Sequence, residues 1–193
     1  MKLLAAVVAT CLLLAGPVFA QASFDTKAKF AVLTDYESGT VIFQKDADAR
    51  LEPASMTKLM TLAVVFNELR AGRITLDDLF FVSENAWRTG GAASGGSTMF
   101  AELNSQIRVE DLVRSVIIQS GNDAAIVLAE GIAGSEATFA DMMNELADEM
   151  GLTGSNFTNS TGLPDPDEYS TARDLAEIGR YLIREFPEYY HYF

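Results

Sequence analysis

The chain has 193 residues, of which 49% are hydrophobic, a composition that suits one globular unit with a sizeable core. Its 27 acidic residues outnumber its 14 basic residues and give a net charge of −13. This acidity argues against nucleic acid and anionic membrane surfaces as partners, because both are themselves negatively charged. No internal repeat or low-complexity linker divides the sequence.

The first twenty residues have the pattern of a secretory signal peptide. Lys2 precedes the apolar run LLAAVVATCLLLAG, and small residues lead to an exit at Ala20. The run is about 14 residues long, whereas a transmembrane helix needs roughly 20. We therefore expect residues 1–20 to be removed on export, which moves the net charge from −13 to −14. Residues 21–193, beginning near Gln21, would then lie outside the cytoplasm.

Cysteine and histidine are too scarce for a conventional metal site. Cys11 is the only cysteine and lies within the expected signal peptide, and His191 is the only histidine. The mature chain therefore offers no thiolate, and a single imidazole cannot build a zinc site. We therefore expect no bound metal ion.

A short β-hairpin followed by helices is the predicted order of elements. The stretch KFAVLTDYESGTVIFQKDA alternates apolar and polar residues around ESG, which predicts strands near 29–35 and 40–45. About five helices follow: from Ser55 to near Gly72, from Val109, from Asp123, from an N-cap at Ser135 to Gly151, and from a capping box of Thr171 and Asp174 to Pro187. Two strands alone rarely form a stable sheet, so this inventory is incomplete.

Ser55 and Lys58 are the first candidates for chemistry. Three positions apart on a helix, they lie on one face within side-chain reach, where the first turn presents free backbone N–H groups. A serine nucleophile needs a base, and no histidine stands upstream, so the lysine remains. An ordinary lysine pKa near 10.4 leaves too little neutral amine at pH 7, so burial or a second cation must lower that pKa. The alternative is a chance helix start with a lysine that reaches solvent.

A second candidate lies in IIQSGNDAA, where one predicted helix ends and the next begins at Asp123. On such a turn, Ser120 and Asn122 would present a hydroxyl and an amide to a cleft. The alternative is a plain helix stop with Asn122 or Asp123 as N-cap.

Together the two motifs resemble those of penicillin-binding proteins and serine β-lactamases, which share S-x-x-K, S-x-N and K-T-G. The resemblance covers nearly all of residues 28–186 and continues through PASMTKLMT, NAWRTGG, GGSTMF, SGNDAA, GSEATF, MNELADEMGL and STGLPDPDEYSTARDLAEIGRYLI. In detail the chain is similar to the low-molecular-mass D-alanyl-D-alanine carboxypeptidases of bacterial cell-wall metabolism.

The resemblance implies a fold, a site and a reaction. The implied fold is α+β, with an antiparallel sheet packed against a helical cluster. Ser55 would be the acylated nucleophile and Lys58 its general base. Ser120 would relay a proton toward the leaving group, and Asn122 would bind the substrate amide and Lys58. The substrate would be a peptidoglycan stem pentapeptide, and β-lactam antibiotics would acylate the same serine. The resemblance also implies that the exported chain lies in the periplasmic or cell-wall space, with membrane association only through parts absent from this chain.

Three other functions compete with this interpretation. A class A β-lactamase needs E-x-x-L-N, but the only Leu-Asn pair, Leu103–Asn104, has Phe100 at the glutamate position. The S-x-N motif also differs from the Y-x-N or S-x-V of other β-lactamase classes. A cell-wall endopeptidase or transpeptidase is separable only by product analysis. A wall-binding homologue without turnover is the third alternative.

The K-T-G motif of the family is missing. Neither Lys-Thr-Gly nor Lys-Ser-Gly occurs, and Lys58 is the last lysine of the chain. In the family that strand supplies a cation near the catalytic lysine, a hydroxyl for the substrate carboxylate and part of the oxyanion hole. Loss of one oxyanion donor typically costs about 100- to 1,000-fold in rate. We therefore expect the chain to be a truncated product or fragment, poorly stable and without measurable turnover by itself.

Two loops have competing interpretations. The glycine-rich stretch 89–100 has glycines at the spacing of a phosphate-binding loop, but Ser97 stands where the lysine belongs, so we interpret it as a loop at the edge of the site. The acidic PDPDE stretch, residues 164–168, fails the calcium-loop pattern at Ser170 and Ala176 and is interpreted as a solvated turn.

Overall fold

The computed structural model describes residues 24–193, so the predicted signal peptide, residues 1–20, lies outside the described residues. Over this range the chain forms four short strands and five α-helices. The strands are β1 (Ala31–Thr34), β2 (Val41–Lys45), β3 (Leu79–Phe81) and β4 (Gln106–Arg108). The helices are α1 (Thr57–Arg70), α2 (Val109–Ile118), α3 (Asn122–Ala133), α4 (Glu136–Glu149) and α5 (Ala172–Glu185).

The strands form two separate antiparallel pairs. The predicted hairpin is present, because β1 pairs with β2 and the register shifts between Leu33 and Thr34. The inventory of two strands is wrong, since β3 and β4 form a second pair in which Phe80 lies opposite Ile107. Three-residue strands are too short to show a period-two pattern in the sequence.

Helix α3 lies at the centre of the hydrophobic core. Its residues 122–129 are all buried, and it packs against α1, α2, α4 and β3. A helix that is apolar on every side must be enclosed in this way. Gly131 permits the close approach of the second sheet, because a Cβ there would lie 2.2 Å from Cδ2 of Phe80.

The predicted helix caps are confirmed at two N-termini. Ser135 Oγ accepts from the Thr138 backbone N–H, and Thr171 Oγ1 accepts from the Asp174 backbone N–H. The capping box at α5 is nevertheless only half formed. The Asp174 carboxylate accepts instead from the Gly154 N–H and the Ser155 hydroxyl, and so ties the start of α5 to the preceding segment.

The segment 156–170 folds back over the start of α1. Leu51 bridges to Ser170, and Asn156 bridges to Tyr169, in two isolated antiparallel pairs. The helix predicted to start at Ser55 starts slightly later. Ala54–Met56 form a 3-10 turn, and the α-helix begins at Thr57. The helix start is therefore enclosed by residues about a hundred positions later in the chain.

Helices and short antiparallel sheets share one core, so the predicted α+β class is confirmed. None of the helices within residues 24–193 has both the length and the apolar character needed to cross a bilayer. The same part of the chain holds no group of three or more His, Cys, Asp or Glu side chains arranged for a metal ion.

Candidate active site

An exposed serine hydroxyl and a buried lysine amine stand together at the start of α1. Ser55 lies in the 3-10 turn and is exposed, whereas Lys58, on the first turn of the α-helix, is only 3% exposed. The Lys58 Nζ and Ser55 Oγ atoms are 3.3 Å apart. The i, i+3 spacing thus places the two groups in contact, with one facing solvent and the other facing the core.

Two further oxygens hold the Lys58 amine. Nζ donates to Asn122 Oδ1 at 2.7 Å and to the backbone carbonyl of Thr161 at 2.6 Å. Burial lowers the pKa of Lys58 from 10.5 to about 8, although the negative charge of Glu168 acts in the opposite direction. A pKa near 8 leaves about one lysine in ten neutral at pH 7, which is hundreds of times more than in water.

The structure brings Asn122 to Lys58 and places Ser120 on the adjoining turn. Asn122 is the first residue of α3, and the N-cap position belongs to Gly121, so neither Asn122 nor Asp123 is the cap. Ser120 has a φ of 55°, in the left-handed region that a residue other than glycine seldom adopts. Its Oγ is buried and has no hydrogen-bond partner among residues 24–193. A strained backbone and an unused buried hydroxyl are typical of functional positions.

Hydrogen bonds connect the glycine-rich loop to this turn, so the loop lies at the edge of the site. The Asn122 N–H donates to the Ser97 carbonyl at 2.8 Å. The buried Asp123 carboxylate accepts from the Thr98 hydroxyl at 2.6 Å, and from the N–H groups of Met99 and Ala101 at 2.9 and 3.0 Å. Asp123 therefore connects the loop to the first turn of α3.

The segment 156–170 also borders the site, and no pattern in the sequence indicated this. Thr161 contributes a backbone carbonyl, which no side-chain pattern reveals. The solvated turn predicted at 164–168 is correct for residues 164–167, which are exposed, but wrong for Glu168, which is buried. An acidic run gives no signal that its last carboxylate turns inward.

Penicillin-binding proteins and a DD-transpeptidase are among the solved structures that share this fold. Penicillin-binding protein 5 from Haemophilus influenzae superposes with a TM-score of 0.86 and 42% sequence identity, over 90% of this chain and 50% of that chain. Penicillin-binding protein 6B from Escherichia coli gives 0.84 and 36%, over 92% and 56%. A Streptomyces K15 DD-transpeptidase variant gives 0.77 at 25% identity, over 84% and 63%. The chain therefore has the fold of penicillin-binding proteins and DD-transpeptidases.

The comparison of sequences is more specific. The family model described as D-alanyl-D-alanine carboxypeptidase, Peptidase S11, matches residues 17–193, so the chain belongs to this family. It is 46% identical over 164 residues to D-alanyl-D-alanine carboxypeptidase DacC of Escherichia coli (strain K12), and 39% identical over 158 residues to DacF of Bacillus subtilis (strain 168). These matches span 84% and 82% of this chain but only 41% and 39% of the relatives.

Proposed function

We propose that the chain belongs to a serine-type D-Ala-D-Ala carboxypeptidase in which Ser55 is the nucleophile and Lys58 the general base. The observation that carries the proposal is the set of contacts around Lys58 Nζ. A neutral amine has two N–H bonds and one lone pair, and the Asn122 and Thr161 oxygens accept the two N–H bonds. The lone pair is left for the third neighbour, the Ser55 hydroxyl.

The geometry supports a serine nucleophile with a lysine base, and the similarity to D-alanyl-D-alanine carboxypeptidases supports the substrate. Ser55 Oγ attacks the carbonyl carbon between the two D-alanines of a peptidoglycan stem peptide, while its proton passes to Lys58 Nζ. The C–N bond then breaks, the amine of the terminal D-alanine takes up a proton, and water hydrolyses the remaining ester. A β-lactam antibiotic would form the same ester when its ring amide opens. The chemistry needs no metal ion or organic cofactor.

The turn at the start of α3 supplies the supporting roles. Ser120, with its unused buried hydroxyl, would pass the proton toward the leaving amine. Asn122 would hold Lys58 through its carbonyl oxygen and bind the substrate amide. Sequence similarity supports a carboxypeptidase over an endopeptidase, since D-alanyl-D-alanine endopeptidase of Pseudomonas aeruginosa is 30% identical over 159 residues, against 46% for DacC.

Product analysis tests the proposed reaction. The protein, isolated as its host produces it, is incubated with a stem pentapeptide ending in D-Ala-D-Ala and separately with a cross-linked stem-peptide dimer. We expect free D-alanine from the pentapeptide and little cleavage of the dimer. Cleavage of the dimer without release of terminal D-alanine would instead identify an endopeptidase.

We infer from the signal-peptide pattern that the enzyme acts outside the cytoplasmic membrane, where its wall substrate lies. The protein recovered from its host is expected to begin close to Gln21. N-terminal sequencing decides this, and a mature protein that retains Met1 would contradict export by cleavage.

A further inference from the structure

Glu168 is a buried carboxylate that the proposed reaction does not use. It is 5% exposed, and within residues 24–193 no basic side chain forms an ion pair with it. Its Oε1 accepts from the Thr57 hydroxyl, and its Oε2 accepts from the N–H and hydroxyl of Thr158 and from Asn159 Nδ2. Four donors converging on two oxygens are the partners that an ionised carboxylate needs. A buried charge is costly, so its position calls for a reason.

Hydrogen bonds connect Glu168 to both sides of Lys58. On α1 it binds Thr57, the residue directly before the lysine. On its own segment it holds Asn159, whose Oδ1 accepts from the N–H groups of Thr161 and Gly162 at 3.0 and 2.8 Å. The turn fixed in this way presents the Thr161 carbonyl that accepts from Lys58 Nζ. Glu168 is therefore the common anchor of the helix start and of the turn that grips the amine.

The charge of Glu168 reaches Lys58 as well. The carboxylates on the elements packed around the lysine include Asp123 on α3, bonded to the glycine-rich loop, and Glu136 on α4, bonded to Ser160. Of the charged groups in the described part of the chain, Glu168 is the one that raises the pKa of Lys58 against the effect of burial. It acts through space, since the pair is not within ion-pair distance.

We propose that Glu168 is a positioning residue for acylation at Ser55, because it anchors both the start of α1 beside Lys58 and the turn whose carbonyl holds the Lys58 amine. The inference rests on the proposed function of Ser55 and Lys58. Glu168 then has two effects on Lys58. Its hydrogen bonds keep the amine in place, and its negative charge keeps the amine protonated up to a higher pH than burial alone would allow.

Glu168→Gln is the decisive substitution. It is introduced into the protein as its host produces it, and the rate of acylation by a fluorescent penicillin is measured as a function of pH. Glutamine is nearly isosteric, and one amide orientation keeps its oxygen on Thr158 and Asn159 while its NH₂ donates to the Thr57 hydroxyl. Without the negative charge the pKa of Lys58 falls, so more neutral amine exists at low pH. We expect the acidic limb of the profile to move to lower pH by about one unit.

Two companion variants separate charge from position. Glu68→Gln makes the same change at another buried carboxylate, which is 6% exposed and paired with Arg73. Glu68 lies ten residues after Lys58 on α1, about 15 Å away along the helix. The acidic limb of the pH profile of this variant should therefore stay in place. Thr57→Val removes the hydroxyl that binds Glu168 but keeps the charge. We expect this variant to acylate about tenfold more slowly at every pH, with the limb unmoved.

Each outcome bears on a distinct statement. An acidic limb of Glu168→Gln that coincides with that of the unaltered protein, or one that Glu68→Gln reproduces, overturns the charge role. A wild-type rate in Thr57→Val overturns the positioning role, and this arm does not depend on the folding of Glu168→Gln. If the unaltered protein, isolated as its host produces it, is not acylated at Ser55, the proposed function fails, and the inference falls with it.

Discussion

In the protein isolated as its host produces it, replacement of Ser55 by Ala should abolish covalent labelling by a fluorescent penicillin. The Ser55 Oγ is the hydroxyl in contact with the buried amine, and alanine leaves no atom to form the ester. The surrounding structure should be unaffected, because Ser55 is exposed and the 3-10 turn makes no demand on its side chain. The measurement is the labelled band on a denaturing gel, which only a covalent adduct survives.

Ser38→Ala is the matched control for this substitution. Ser38 is also exposed, but it lies in the turn between β1 and β2, where its hydroxyl binds Asp35. The Ser38→Ala protein should be labelled to the same extent as the unaltered protein. Undiminished labelling of the Ser55→Ala protein would refute the assignment of the nucleophile.

Replacement of Lys58 by Arg should slow acylation by about 100- to 10,000-fold, the usual contribution of a general base. A guanidinium keeps the positive charge but has no lone pair to accept the serine proton near neutral pH. It is also planar and larger, so it cannot place two N–H bonds on Asn122 and Thr161 as the amine does. The rate constant for penicillin acylation measures the effect, and circular dichroism establishes that the variant is folded.

Lys45→Arg provides the same chemical change away from the site. Lys45 lies on β2 and donates to the Thr26 carbonyl, a contact that arginine can replace. Its acylation rate should match that of the unaltered protein. Near-normal acylation by Lys58→Arg would exclude Lys58 as the base.

Local patterns predicted the parts of the molecule that depend on neighbours in sequence. The hairpin follows from alternation over a few residues, and the starts of α4 and α5 follow from the caps at Ser135 and Thr171. The contact between Ser55 and Lys58 follows from helical spacing alone. These features need no knowledge of the tertiary fold.

Features that depend on distant partners could not be predicted. The β3–β4 pair joins strands of only three residues, each too short to show a period. Asp174 leaves its capping box for Gly154 and Ser155, whose nearness is a property of the folded chain. Thr57, 111 residues away, supplies a hydrogen-bond donor to the buried Glu168. The residues next to Glu168 in the sequence do not indicate that partner.

The hydrogen bonds that hold the buried Lys58 amine span long stretches of the chain, with Asn122 lying 64 residues away and Thr161 lying 103 residues away. A ribosome completes α1 long before it has made the segment that covers it, and closing such loops costs entropy that later contacts must repay. Until then Lys58 is an ordinary hydrated cation and Ser55 an ordinary alcohol. In the unfolded nascent chain this pair is therefore chemically quiet, and the reactivity that we propose for it arises only with the last long-range contacts.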